Sequence, residues 1–207
     1  MMSKPKVGSD WLRVAHLRFP ELLRLHNPDT AQHLVRFYED EAFVLENVSH
    51  LAAAALAAGS SVVVLATDSH RHQIGERLCA LGPDLEALRN GSRYVATDAA
   101  EALSHFMIEA SPDEAAFDNV IGATMRDAAK HSVNEFVFAF GEMVALLCAG
   151  SNPAGAVRVE QLWNRLAQRQ RFSLYCAYPL SSLVIGQNMD AVVRICAEHD
   201  LTIPAEN

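Results

Sequence analysis

Residues 62–65 read Val62-Val63-Val64-Leu65, four apolar side chains in a row with no polar alternation. Successive side chains of a strand point to opposite faces, so a strand of this composition must be covered on both. A parallel sheet meets that condition, because its crossover helices pack on either face. The neighbouring sequence supplies such helices. Asp40 to Ala58 places Val44, Val48, Leu51 and Ala55 on one stripe, and Gly59 gives the stop. Asn152 and Pro153 form a cap and first-position pair opening a helix whose inward face is Val159, Leu162, Trp163 and Leu166. Pro112 to His131 carries Phe117, Ile121, Thr124 and Ala128 at helical spacing, and a last helix carries Ile185, Met189, Val192, Val193 and Cys196. Five runs read as strands: His33 to Tyr38, Ser61 to Thr67, Arg93 to Thr97, Glu135 to Phe140 and Phe172 to Tyr178. Strand followed by helix, joined by right-handed crossovers, predicts an α/β fold: an open, mainly parallel sheet with helices on both faces.

The chain of 207 residues suits one domain with appendages. Pro5, Gly8, Pro20 and Pro28 interrupt residues 1–30, where only Trp11 to Leu25 has helical periodicity, so this stretch reads as a partly helical N-terminal appendage. The domain proper is expected over 31–183, and 184–207 as a C-terminal helix and tail. Half of the residues are hydrophobic, which excludes disorder for most of the chain. With Asp+Glu 25 against Lys+Arg 17, the net charge of -8 argues against direct nucleic-acid binding. Leu51 to Gly59 and Val62 to Ala66 are too short to cross a bilayer, and no apolar leader follows the N-terminus, so no membrane association and a cytoplasmic location are expected. Cys79, Cys148, Cys176 and Cys196 lie far apart inside apolar patterns with no C-x-x-C pair, and read as reduced, buried thiols. No cofactor and no metal site is expected.

Ligands of open parallel sheets bind at the carboxyl ends of strands. Those ends read Phe37-Tyr38-Glu39-Asp40, Ala66-Thr67-Asp68, Thr97-Asp98, Gly141-Glu142-Met143 and Ala177-Tyr178-Pro179. There is no G-x-G and no phosphate-loop lysine, and Glu39, Asp40 and Glu41 would repel a phosphate at the first helix start. Nucleotide hydrolysis is therefore the weakest reading. Glu142 stands where a strand-end acid would hold a metal or polarise water, although an acid at a helix N-terminus is the plainer reading. In Asp68-Ser69-His70, Asp68 or Ser69 reads as a helix cap. His70 and His72, two apart on a helix, point away from each other and chelate poorly. His33, on the first strand, faces either core or site. Phe37, Tyr38, Phe140, Tyr175 and Tyr178, with Trp163 on a neighbouring helix, could line an apolar pocket with polar tips.

Several strings then carry a resemblance. His33-Leu34-Val35-Arg36-Phe37-Tyr38-Glu39-Asp40, Ala58 to Thr67, Arg93 to Ala100, Phe140-Gly141-Glu142-Met143, Leu162-Trp163-Asn164-Arg165 and Phe172 to Pro179 together resemble, in order, the MEDS family. That family is a sensory domain first described in a methylotroph dichloromethane-responsive regulator and in methanogen proteins, and the similarity runs from about Gln32 to Leu183. It implies a RecA-like core without its phosphate loop, used as a non-enzymatic module of signal transduction or transcription regulation. It further implies a small-molecule ligand, a hydrocarbon derivative, and a partner such as a histidine kinase or transcription regulator. The ligand-binding residues expected on this basis are His33, Phe37, Tyr38, Glu39, Thr67, Glu142, Trp163, Tyr175 and Tyr178. Only about 28 residues follow Pro179, with no kinase or helix-turn-helix segment, so output is expected through a partner protein or a homo-oligomer. The competing expectation is a pure interaction module with a vestigial pocket.

Overall fold

The computed structural model describes Leu25, residues 28–182 and residues 189–205. The N-terminal helix expected from Trp11 and the start of the last helix at Ile185 lie outside the described residues. Strands β1 (His33–Tyr38), β2 (Ser61–Ala66), β3 (Tyr94–Asp98), β6 (Val137–Gly141), β7 (Phe172–Pro179) and β8 (Leu201–Ile203) form one sheet in the order β3-β2-β6-β7-β1-β8. Every pairing in it is parallel. A short antiparallel pair, β4 (Met107–Ile108) and β5 (Ser111–Pro112), stands apart. The expected α/β architecture is thus present, an open and mainly parallel sheet wrapped by helices.

The apolar run Val62 to Leu65 is divided between two cores. Val63 and Leu65 pack on one face with Val35, Phe37, Leu174, Cys176 and Tyr178. Val62 and Val64 pack on the other with Leu34, Tyr38, Phe138, Phe140 and Tyr175. Helices α1 (Glu41–Ala57), α2 (Asp68–Leu81) and α3 (Leu85–Asn90) cover the second face. The first face is covered by α4 (Ala99–Ser104), α5 (Glu114–Phe117), α6 (Ala123–His131), α7 (Met143–Ala149), α8 (Pro153–Ala167) and α9 (Met189–Ala197).

Local chemistry sets the boundaries. Asp40 caps α1, its Oδ1 accepting from the N–H groups of Ala42 at 2.9 Å and Phe43 at 3.4 Å. For α2 the cap is Thr67, whose Oγ1 accepts from the His70 N–H, rather than Asp68 or Ser69. The strand expected from Glu135 begins at Val137, because Glu135 has φ +56° and cannot be extended. The single helix expected over Pro112–His131 is broken by a π-turn at Asp118–Gly122. Gly122 makes room there: a Cβ would lie 2.6 Å from Asp118 Oδ1, the carboxylate that Arg126 and Arg169 share. The segment beyond residue 184 contributes β8, which pairs with β1 and adds a sixth strand. Of the cysteines expected in the core, Cys148 and Cys176 are buried, Cys196 is half-buried and Cys79 is exposed. Among the described residues no helix is long and apolar enough to cross a membrane.

Strands β2 and β6 are neighbours whose outgoing helices diverge. From β2 the chain passes through α2, on the second face, to the outer strand β3. From β6 it passes through α7 and α8, on the first face, to β7 on the other side. The crevice between the carboxyl ends of β2 and β6 is therefore the topological switch point, where open α/β sheets receive ligands.

Candidate functional site

Glu142 lies at that switch point, immediately after β6. Its N–H donates to Leu65 O of β2 at 2.9 Å, so strand pairing fixes its position. It precedes α7, yet its side chain makes no capping hydrogen bond to that helix. The carboxylate instead crosses to β2, with Oε2 accepting from the Thr67 N–H at 3.0 Å and Oε1 paired with His70 Nδ1. The other ring nitrogen, His70 Nε2, lies 3.0 Å from Glu41 Oε1 in the first turn of α1. One imidazole thus bridges a buried and a half-exposed carboxylate, joining the ends of β6 and β2 to the helix that follows β1.

Electrostatics follow from this arrangement. The hydrogen bond that His70 donates to Glu142 raises the His70 imidazole above the ordinary histidine range, against the opposing effect of burial and with help from Glu41. Burial, then the charges of Glu142 and Glu41, raise the Tyr38 phenol. The crevice therefore presents a phenol that keeps its proton and a histidine whose charged form is favoured by the two acids beside it. Arg71, the nearby cation, is engaged by Asp68 at 2.9 Å and Asp98 at 3.5 Å. An arrangement of carboxylates and spoken-for arginine does not cradle phosphates; it suits a neutral or cationic polar head.

Of the residues expected to bind ligand, Tyr38, Thr67 and Glu142 come together here, with Glu39 exposed beside them. The others do not join them. Phe37 and Tyr178 sit in the core of the opposite face, their rings 5.9 Å apart. Trp163 is packed edge-on between Phe117 and Phe172, at 5.5 and 5.6 Å, as a core side chain. Tyr175 lies on the second face, 5.9 Å from Phe140, to which it is also opposite in register. The aromatics of the strand ends are thus divided by the sheet and do not line one pocket.

His33 occupies the amino end of β1, far along the strand from Tyr38, and faces Glu160 and Asn164 of α8. Sequence reasoning missed Glu160, a fully buried acid inside the helical stripe of α8, because it occupies a position that the periodicity assigns to core. Burial alone would push the Glu160 carboxyl up, but His199 and His33 beside it hold it well below the usual carboxylate range. The Tyr178 hydroxyl donates to its Oε1 at 2.8 Å. His33, Glu160, Cys176 and His199 each offer a ligand atom, all within 4.8 Å of one another.

No curated protein sequence matches this chain. The family described as MEDS, the MEthanogen/methylotroph, DcmR Sensory domain, matches over residues 32–194, which takes in both polar centres except His199. With most of its length covered by that match, the chain belongs to the MEDS family of sensory domains.

Proposed function

We propose that this chain is a non-enzymatic sensory module that receives a small apolar or amphipathic molecule in the crevice between the ends of β2 and β6, and reports its occupancy to a signalling protein. A sensory or signalling role rests on family membership. The observation that carries the finer reading is the carboxylate of Glu142, which leaves its own helix uncapped and crosses the switch point to Thr67 and His70. A polar head entering the crevice competes for one arm of the Glu142–His70–Glu41 bridge, and so changes how the start of α1 is tied to β6. Such a ligand acts only through different affinities for the bridged and unbridged states. The output partner is a protein such as a histidine kinase or a transcription regulator, in keeping with the family resemblance.

Amide chemical shifts of labelled protein, followed while short alcohols, amines and halogenated hydrocarbons are added, test this reading. Perturbations centred on Tyr38, Thr67, His70 and Glu142, and lost in Glu142→Gln, are expected. Saturable perturbations elsewhere, or unchanged binding in Glu142→Gln, would exclude the crevice.

A further inference from the structure

The second polar centre lies beneath α8, on the first face of the sheet, and its donors converge. Cys176 Sγ is 3.5 Å from both His33 Nε2 and Glu160 Oε2. His33 Nε2 is 3.2 Å from Glu160 Oε2, and His199 Nε2 is 3.4 Å from Glu160 Oε1. Tetrahedral zinc, with bonds of about 2.0–2.1 Å to nitrogen or oxygen and about 2.3 Å to sulfur, sets its donors about 3.3 Å apart, or about 3.6 Å where sulfur is one of the pair. With Glu160 Oε2 as the carboxylate donor, three of these separations fall on those edges; His199 Nε2 faces Oε1, the other oxygen of the same carboxylate, and one donor atom from each residue can be chosen so that all four lie within 4.8 Å of one another.

The hydrogen bonds behind the donors fix which ring nitrogens face inward. Asn164 Nδ2 donates to Glu198 O at 2.8 Å and Glu198 Oε2 at 3.0 Å, so Asn164 Oδ1 is the acceptor that meets His33 Nδ1 at 2.8 Å. His199 Nδ1 is 2.6 Å from the Ile195 carbonyl, which can only accept. Both rings therefore carry N–H at Nδ1, which leaves Nε2 as the nitrogen turned toward the carboxylate and the sulfur. Backing of this kind, with the far N–H given to a carbonyl or amide oxygen, orients metal-binding histidines. His199 Nε2, in a fully buried side chain, makes no hydrogen bond among the described residues, although it faces Glu160 across 3.4 Å. The two rings stand 4.0 Å apart, close for a pair of imidazolium cations. A single divalent ion satisfies the set without them: two neutral imidazoles, one carboxylate and one thiolate balance its charge.

We infer that His33, Glu160, Cys176 and His199 form a buried tetrahedral site for a borderline divalent transition ion, zinc being the first choice for this nitrogen, oxygen and sulfur set. Binding converts the Cys176 thiol to a metal-bound thiolate and releases one proton to solvent. Tyr178 and Asn164 act as positioning residues, holding Glu160 and His33 from behind. The ion ties β1, β7, α8 and the segment between α9 and β8 at one point, which would make the C-terminal strand's attachment depend on metal.

The test uses the full chain in a Cys79→Ser background, which removes the exposed thiol, stripped with a chelator and titrated with Co2+ and then Zn2+. One equivalent of cobalt with intense tetrahedral visible bands and a sulfur-to-cobalt charge-transfer band, displaced by zinc, is expected, together with a rise in Tm on zinc addition. Cys176→Ser should abolish the sulfur band, Asn164→Ala should weaken affinity about 10–100-fold, and His72→Gln, on the surface of α2, should change nothing. Absence of a tetrahedral cobalt spectrum in the parent overturns the inference even if the variants fail to fold. So does a sulfur band that survives Cys176→Ser.

Discussion

Removing the imidazole that links Glu142 to Glu41 is the most informative single perturbation at the crevice. In His70→Ala two ion pairs disappear. The outer one, to Glu41, has a half-exposed partner and contributes about 0–1 kcal/mol. The inner one leaves Glu142, 4% exposed, with the Thr67 N–H as its remaining hydrogen-bond donor among those described. Stripping a buried charge of its partner costs about 3–5 kcal/mol. That surviving hydrogen bond and the proximity of solvent at the strand ends reduce the sum to about 3 kcal/mol, or about 6–12 °C in Tm for a domain of this size. The pH dependence gives the sharper reading. His70 is raised above its unfolded value of 6.5, so the stability it adds is fully present below about that pH and is lost as pH rises through the higher folded value. The gap between parent and His70→Ala in urea denaturation should therefore be widest in mildly acidic buffer and narrow as the solution becomes alkaline. A gap that widens with pH, or a coupling below about 0.5 kcal/mol in a double-mutant cycle with Glu142→Gln, would refute the bridge.

Two backbone features give further expectations. Asn152→Ala removes the acceptor for the Gly155 N–H at 2.9 Å and the donor to Ala110 O at 2.8 Å, which ties α8 to the β4–β5 hairpin; a loss of about 1–2 kcal/mol by calorimetry is expected. Gly59 and Gly82 both have positive φ, of +89° and +108°, but only at Gly59 would a Cβ meet a neighbour, 3.1 Å from Val133 Cβ. Gly59→Ala should thus cost more than Gly82→Ala, each within about 1–3 kcal/mol, and equal losses would show that the Val133 contact yields freely.

Layer order was legible because burial on both faces leaves a continuous apolar signature, as at Val62 to Leu65, and because Asp40, Asn152 and Pro153 announce their helices. Helix α2 is legible only at its start, where Asp68 or Ser69 reads as a cap and His70 and His72 as helical; its extent is not, because Asp68 to Leu81 is mostly polar and buries only His70, Ile74, Gly75 and Leu78. The three residues of β8 are too few for a periodicity to register. At the crevice, Glu142 and Thr67 could be singled out by position alone, since strand ends are visible in sequence. His70 was weighed as a chelator with His72, but its partners, at 142 and 41, come from other strands' connections. The four donors at residues 33, 160, 176 and 199 are spread across the chain with none of the short spacings that mark a zinc finger, and sequence reasoning accordingly expected no metal. Only the pairing of His33 and Cys176 on adjacent strands, beneath Glu160, brings them to one place.

The short strand β8 also bears on solubility. Without it, β1, paired with β7 on one side, would present the backbone donors and acceptors of its other edge unpaired, a template on which a second chain could extend the sheet. Leu201–Ile203 covers the middle of that row, and Pro204 follows directly, a residue with no N–H to offer an incoming strand. The last described turn of the chain thus serves as a guard against edge-to-edge aggregation, and losing it would be felt first as precipitation rather than as a lower melting temperature.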